Sequence, residues 1–139
     1  MQLEQKTIDS VRGYWRSLDV SKKHDYMVVL YRLLLNRHAE YKTLFHTDME
    51  SMRNNMAASM DYVINNLDQQ NKLSLEFRRL AKKHKQLEVS SAMFDEMVHC
   101  QLQAQQHVSG DLLTDVDRHH WETLVNYLAR QILQAYPHD

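Results

Sequence analysis

Glycine and proline are scarce in this 139-residue chain, which has two of the first and one of the second, and only one cysteine. Both Gly and Pro punctuate tight turns, so their scarcity excludes the all-β sandwiches and barrels. Long helices joined by few corners remain. Glycine-rich phosphate loops are excluded as well, because Gly13 and Gly110 lie far apart. The lone Cys100 forms no internal disulfide and supplies neither a cysteine-based zinc framework nor a paired-thiol redox motif. That usage fits a reducing, cytoplasmic setting. The longest apolar region, Val28 to Leu35, is interrupted by Arg32, so no membrane span is expected. The first residues show no basic segment leading into an apolar one, and no secretory signal is expected. An excess of one charge is also missing. Seventeen basic against eighteen acidic side chains argue against nucleic acid as a partner, since phosphate neutralisation needs clustered Lys and Arg. The length predicts one domain, residues 1–139, large enough to bury a core.

What the chain does have is helical periodicity nearly throughout, with no convincing two-residue alternation. Ile8, Val11, Trp15 and Leu18 share one face of a helix expected from about Glu4 to Leu18. Ser21 is the expected N-cap of a second helix, whose Met27, Leu30, Tyr31, Leu34, Leu35 and His38 fall together. Tyr41, Leu44 and Phe45 precede a turn at His46-Thr47-Asp48. A third helix is predicted from about Met49 to Leu67, with Met49, Met52, Met56, Met60, Val63, Ile64 and Leu67 as its buried stripe. Leu73, Phe77, Leu80, His84 and Leu87 follow at steps of four, three, four and three, with Arg78, Arg79, Lys82, Lys83 and Lys85 largely off that stripe. Ser90 and Ser91 offer a cap for a helix bearing Met93, Met97, Cys100 and Ala104, and Ser109-Gly110-Asp111 makes a corner. Leu113, Val116, His120, Leu124, Tyr127, Leu128, Ile132 and Ala135 then form the face of a last helix that ends by Pro137. The expected class is all-α, with six or seven helices.

Nine histidines are many for such a chain and are the first hint of metal or proton chemistry. His119 and His120 are adjacent and point to different sides of a helix, and the remainder show no ligand spacing. His84 is different, being set within an apolar stripe. It can be a half-buried core residue bonded to a neighbour, or a neutral imidazole ligand in an apolar pocket, and periodicity leaves both open. The Met stripe likewise suits adaptable core, a partner groove or a cofactor wall. Tyr31 needs a partner for its hydroxyl if it is buried, and a bound ligand is one candidate.

Four blocks together resemble the globins. They are Leu3 to Ile8, Leu30-Tyr31-Arg32-Leu33-Leu34 through Leu44-Phe45, Met56-Ala57, and Leu80-Ala81-Lys82-Lys83-His84 followed by Val89. The fourteen-residue step from Tyr31 to Phe45 and the twenty-eight-residue step from Met56 to His84 keep the register of that family. Within it the chain is most similar to the bacterial single-domain haemoglobins, of which that of Vitreoscilla is one, and to the haem domain of flavohaemoglobins. The resemblance implies a globin fold and a haem b cofactor whose iron is held by His84 as proximal ligand. It implies that Phe45 packs on the porphyrin, that Tyr31 reaches the distal ligand site, and that Leu80, Val89, Phe94 and Val98 lie on the proximal side. Met52, Arg53 and Met56 fall on the distal helix.

Departures from the family pattern bear on mechanism. Met52 and Arg53 stand where relatives carry a distal glutamine followed by proline, so the usual amide donor is missing. Ala39 replaces another expected proline, and Glu88 an expected glycine. Phe94 stands where a tyrosine helps orient the proximal histidine, and Tyr136 lies near the place of a matching glutamate. The function implied is reversible binding of a diatomic gas such as oxygen, nitric oxide or CO, with Met52 or, second to it, His46 as an internal sixth ligand in one variant. Nitric oxide dioxygenation with a separate reductase, and a gas-sensor or interaction role, are the alternatives. The chain is expected to be a monomer or homodimer.

Overall fold

The computed structural model describes residues 3–45 and 48–137, and among these it contains six α-helices, two short 3-10 segments and no strand. The helices are α1 (Gln5–Ser17), α2 (Val20–Arg37), α3 (Met49–Asn65), α4 (Gln70–Gln86), α5 (Ser91–Ser109) and α6 (Asp115–Gln134). The 3-10 segments are Ala39–Leu44 and Gly110–Leu112. No helix among the described residues is long and apolar enough to cross a membrane.

Helix starts follow side-chain capping. Asp19, rather than Ser21, caps α2 by accepting from the Lys22 amide at 2.8 Å, which leaves Ser21 inside the helix. A carboxylate two residues earlier can reach an orphan N–H of the first turn and favours the helix dipole, so it prevails over the hydroxyl. Asp48, Ser90 and Thr114 cap α3, α5 and α6 in the same manner. The α3 face differs from the expectation. Met60, Val63 and Ile64 are buried in α3, and Leu67 just beyond it, but Met49, Met52 and Met56 are only half-buried. Val116 was placed on the buried face of the last helix, yet it is 62% exposed because it sits in the first turn, before α6 reaches the core.

The core centres on a cluster of aromatic rings where α1, α2 and α6 meet. Trp15 stacks on Trp121 with centroids 5.6 Å apart, while Tyr14 and Tyr26 meet Trp121 edge-on. Both indoles are essentially inaccessible, at 1% and 0%. Their polar atoms are nevertheless paired: the Trp15 indole N–H donates to Asp61 at 2.6 Å and that of Trp121 to the Tyr26 hydroxyl at 3.1 Å. Arg12 of α1 donates to the Ile64 and Asn65 carbonyls and to Asp68, satisfying carbonyls at the end of α3 that have no helical partner. α2 packs most extensively on α5, and α6 lies against α1, α4 and α5. Cys100 is fully buried at the α5 core face, and burial pushes its thiol pKa up, as suits an unreactive packing residue.

The corner after α4 is the one place among the described residues where a non-glycine residue takes a left-handed conformation. Glu88 has φ of 59°, and its N–H donates to the Lys85 carbonyl at 2.9 Å while the next N–H, of Val89, reaches the His84 carbonyl at 3.1 Å. Those bonds close the end of α4 in the manner that normally selects glycine. A side chain there costs about 1 kcal/mol, partly offset by the lower entropy of a non-glycine unfolded chain. Glu88→Gly is therefore expected to stabilise the protein by about 0.5 kcal/mol, read as a higher urea midpoint at unchanged slope.

Candidate functional site

Between the long helices lies a partly enclosed cavity of about 490 Å³, lined by α2, the Ala39–Leu44 segment, α3, α4, α5 and α6. Its size is that of a cofactor or small-molecule site, roughly 300–1,000 Å³. His84, Tyr31, Phe45, Met52, Met56, Leu80, Val89, Phe94 and Val98 all line it. Arg53 does not. One residue on from Met52, it is turned about 100° around α3, and its Nε is buried with no partner among the described residues. His46 lies outside the described residues.

His84 sits in the last turn of α4, its Nδ1 2.7 Å from the Leu80 carbonyl. A carbonyl only accepts, so Nδ1 carries the ring proton and Nε2 keeps its lone pair. Burial lowers the imidazole pKa. The Leu80 carbonyl opposes that shift, and the charges of Lys83 and Arg79 reinforce it. The ring is therefore neutral at neutral pH, the state a metal ligand requires. Phe94 packs 5.3 Å from it, centroid to centroid, and Tyr136 packs against Phe94. The Tyr136 hydroxyl donates to the Val89 carbonyl at 2.8 Å and not to the imidazole. Lys85 donates to the Pro137 carbonyl close by.

Tyr31 enters from α2 and is only 5% exposed. Its ring meets Phe45 edge-on at 5.8 Å, while its hydroxyl bonds to no described residue. Phe45 is placed by the segment before it, which is tied down from α2 and α5. Arg37 and His38 both contact Glu96, at 3.0 and 3.1 Å, and His38 stacks on Tyr41 at 4.7 Å.

Further lining residues carry polar or charged groups that periodicity assigns elsewhere or passes over, Asn55 and Ser59 of α3 among them. Arg79 and Lys83, on the exposed side of the α4 stripe, border the cavity, and among the described residues no carboxylate lines it. Gln101 of α5 also lines it, although it is 5% exposed. A charged residue one step off an apolar stripe is a signal for the rim of a site, and a glutamine i+3 and i+7 from Val98 and Phe94 is one for its interior.

A family model described as Globin matches residues 28–132. No curated protein matches the sequence. Among solved structures, the engineered carbene transferase RmaNOD, from a proposed nitric oxide dioxygenase of Rhodothermus marinus, is 22% identical. It superposes with a TM-score of 0.85 over 96% of this chain and 92% of its own. The CO form of haemoglobin from Mustelus griseus is 14% identical, with a TM-score of 0.79 over 95% of this chain and 98% of its own.

Burial raises the Tyr31 pKa from near 10 to about 12. The unfolded chain therefore loses this proton at lower pH than the folded one. Stability is fully present below about pH 10 and falls as the pH rises towards 12. Alkaline denaturation curves of wild type and Tyr31→Phe should diverge in that window, the variant losing less. Parallel curves would contradict the burial of an intact phenol.

Proposed function

The chain belongs to the globin family, whose members generally bind haem and diatomic gases, and from that premise we propose that it holds haem b through His84 and takes up oxygen or a similar gas beside Tyr31. The observation that carries this reading is the joint presence in one cavity of a neutral imidazole with a free Nε2 and a buried phenol with an unpaired hydroxyl. The apolar walls fit a flat hydrophobic group, and the Lys83 cation at the border fits one of its carboxylates, while Arg79 is held by Glu76 at 2.6 and 2.9 Å. A haem held there supplies an iron centre that takes a diatomic gas in its open coordination position.

The residues then divide the work. The Leu80 carbonyl fixes the His84 tautomer and aims Nε2. Phe45, Met56, Leu80, Val89, Phe94 and Val98 exclude water from the two sides of the group. Tyr31 stays protonated over the physiological range and donates a hydrogen bond to a gas ligand that gathers negative charge. Arg53 lies off the cavity and takes no part. The imidazole leans on a neutral backbone carbonyl and Tyr136 is engaged with Val89, so among the described residues no carboxylate bonded to His84 raises its basicity. That favours reversible binding over oxygen activation. Nitric oxide dioxygenation would in addition draw electrons from a separate reductase. The Met52 thioether also lines the cavity and would offer the group a second protein ligand.

Protein purified with ample haem is expected to show a Soret band in ferric, ferrous and CO-bound forms, and a low-spin ferric spectrum if Met52 ligates. His84→Ala is expected to lose most of the bound haem on gel filtration, and retention at the wild-type level defeats the ligand assignment. Tyr31→Phe should speed oxygen release roughly tenfold to a hundredfold, the worth of one hydrogen bond to a charged acceptor. Stopped-flow release rates within twofold of wild type would remove Tyr31 from the ligand site.

A further inference from the structure

At the crossing of α2, α5 and α6 a short chain of hydrogen bonds runs from the core towards the cavity. The Trp121 indole donates to the Tyr26 hydroxyl at 3.1 Å, and that hydroxyl donates to Gln101 Oε1 at 3.0 Å. All three side chains are buried, with Tyr26 and Trp121 wholly so. The chain has only one sense. An indole N–H can donate and cannot accept, so the Tyr26 oxygen is used as acceptor on that side. Its own proton must then go to the remaining neighbour, and only an oxygen can take it. The amide of Gln101 is thereby fixed, with Oε1 towards Tyr26 and the NH₂ turned away from it. Burial also pushes the Tyr26 pKa up, so the phenol keeps the proton that sets this order.

The NH₂ of Gln101 makes no hydrogen bond to any described residue, yet it is not among the fully enclosed polar atoms that lack partners. In a residue 5% exposed that lines the cavity, the open space it meets is the cavity itself. Gln101 lies two turns beyond Phe94, the α5 residue against His84, or about 10 Å along the helix axis. It stands on α5, which packs on α2, the helix that carries Tyr31, and both residues line the cavity.

We propose that Gln101 is a positioned hydrogen-bond donor of the ligand cavity, locked in that sense by Tyr26 and Trp121, and that it acts with Tyr31 on the acceptor atom of a bound diatomic gas. The inference rests on the gas-binding reading above. A fixed amide on α5 supplies the donor that Met52 on α3 lacks. Tyr26 never touches the ligand. It is a positioning residue, and losing its hydroxyl frees the amide to turn over and present its oxygen.

The test uses the CO and oxygen complexes of the haem-loaded protein, with infrared spectroscopy and stopped-flow release. Gln101→Met keeps the volume and removes the donor. It is expected to raise the C–O stretching frequency and to speed oxygen release about threefold to tenfold. At alkaline pH, where its carboxyl is ionised, Gln101→Glu keeps an acceptor for Tyr26 and replaces the donor with a second oxygen, so the frequency should rise further. Tyr26→Phe should split the C–O band in two as the amide takes both orientations, an effect that loss of packing alone does not produce. In the diamagnetic CO complex, the Gln101 side-chain ¹⁵N–¹H₂ signals should shift in Tyr26→Phe as the amide averages over both orientations. A C–O band and release rate unchanged in both Gln101 variants, with a normal Soret band, overturn the proposal and leave gas binding standing. If wild type takes up no haem at all, the gas-binding reading fails first and this proposal with it. Should one Gln101 variant not fold, the other and Tyr26→Phe still decide the matter.

Discussion

Apolar walls gain nothing by facing one another across a gap, and the cavity around His84 exists because its helices are locked together elsewhere. The lock is the aromatic block of Tyr14, Trp15, Tyr26 and Trp121, where large rings fill the space between α1, α2 and α6 at crystal-like density. It is stiffened by indole N–H bonds whose loss would leave buried donors unpaired. Collapse of the cavity would require these rings to slide past one another.

Polarity within the cavity is graded in a way that follows from its construction. Cations of α4 stand at the border, thioethers and aliphatic side chains form the walls, and the Tyr31 hydroxyl and Gln101 amide sit inside. A molecule with a charged edge, an apolar body and a reactive centre matches that order. The helices that supply the two ends also differ in character. α4 has six Lys and Arg side chains against one Glu, whereas the α2 residues that line the cavity, Tyr31 and Leu34, carry no charge.

Much of this arrangement was legible in the residues, for reasons that can be named. His84 and Tyr31 lie on apolar stripes where a polar side chain must either find a partner or face a ligand, and both positions line the cavity. The family register supplied what periodicity left open. The α3 face misled, because a stripe of methionines looks the same whether it meets another helix or an open space. Only Met60 is fully buried, and Met52 and Met56 line the cavity instead. Arg53 was placed at the site by its neighbour in sequence, but adjacent residues of a helix point in different directions. Gln101 was passed over because its neighbours Cys100 and Ala104 define a core face and an amide beside them is taken for surface. What reveals it is the direction of a hydrogen bond, which no one-dimensional pattern contains.

The C-terminal end of α6 is stitched to the corner that follows α4. Tyr136 holds the Val89 carbonyl and Lys85 holds that of Pro137, so the last described residues share a clasp with the turn that carries His84. Mechanical load applied beyond Pro137 is therefore delivered first to the strained Glu88 corner and not to the aromatic block. A tag, a tether or a neighbouring domain joined at that end would act on the cavity's histidine side through a lever only a few residues long.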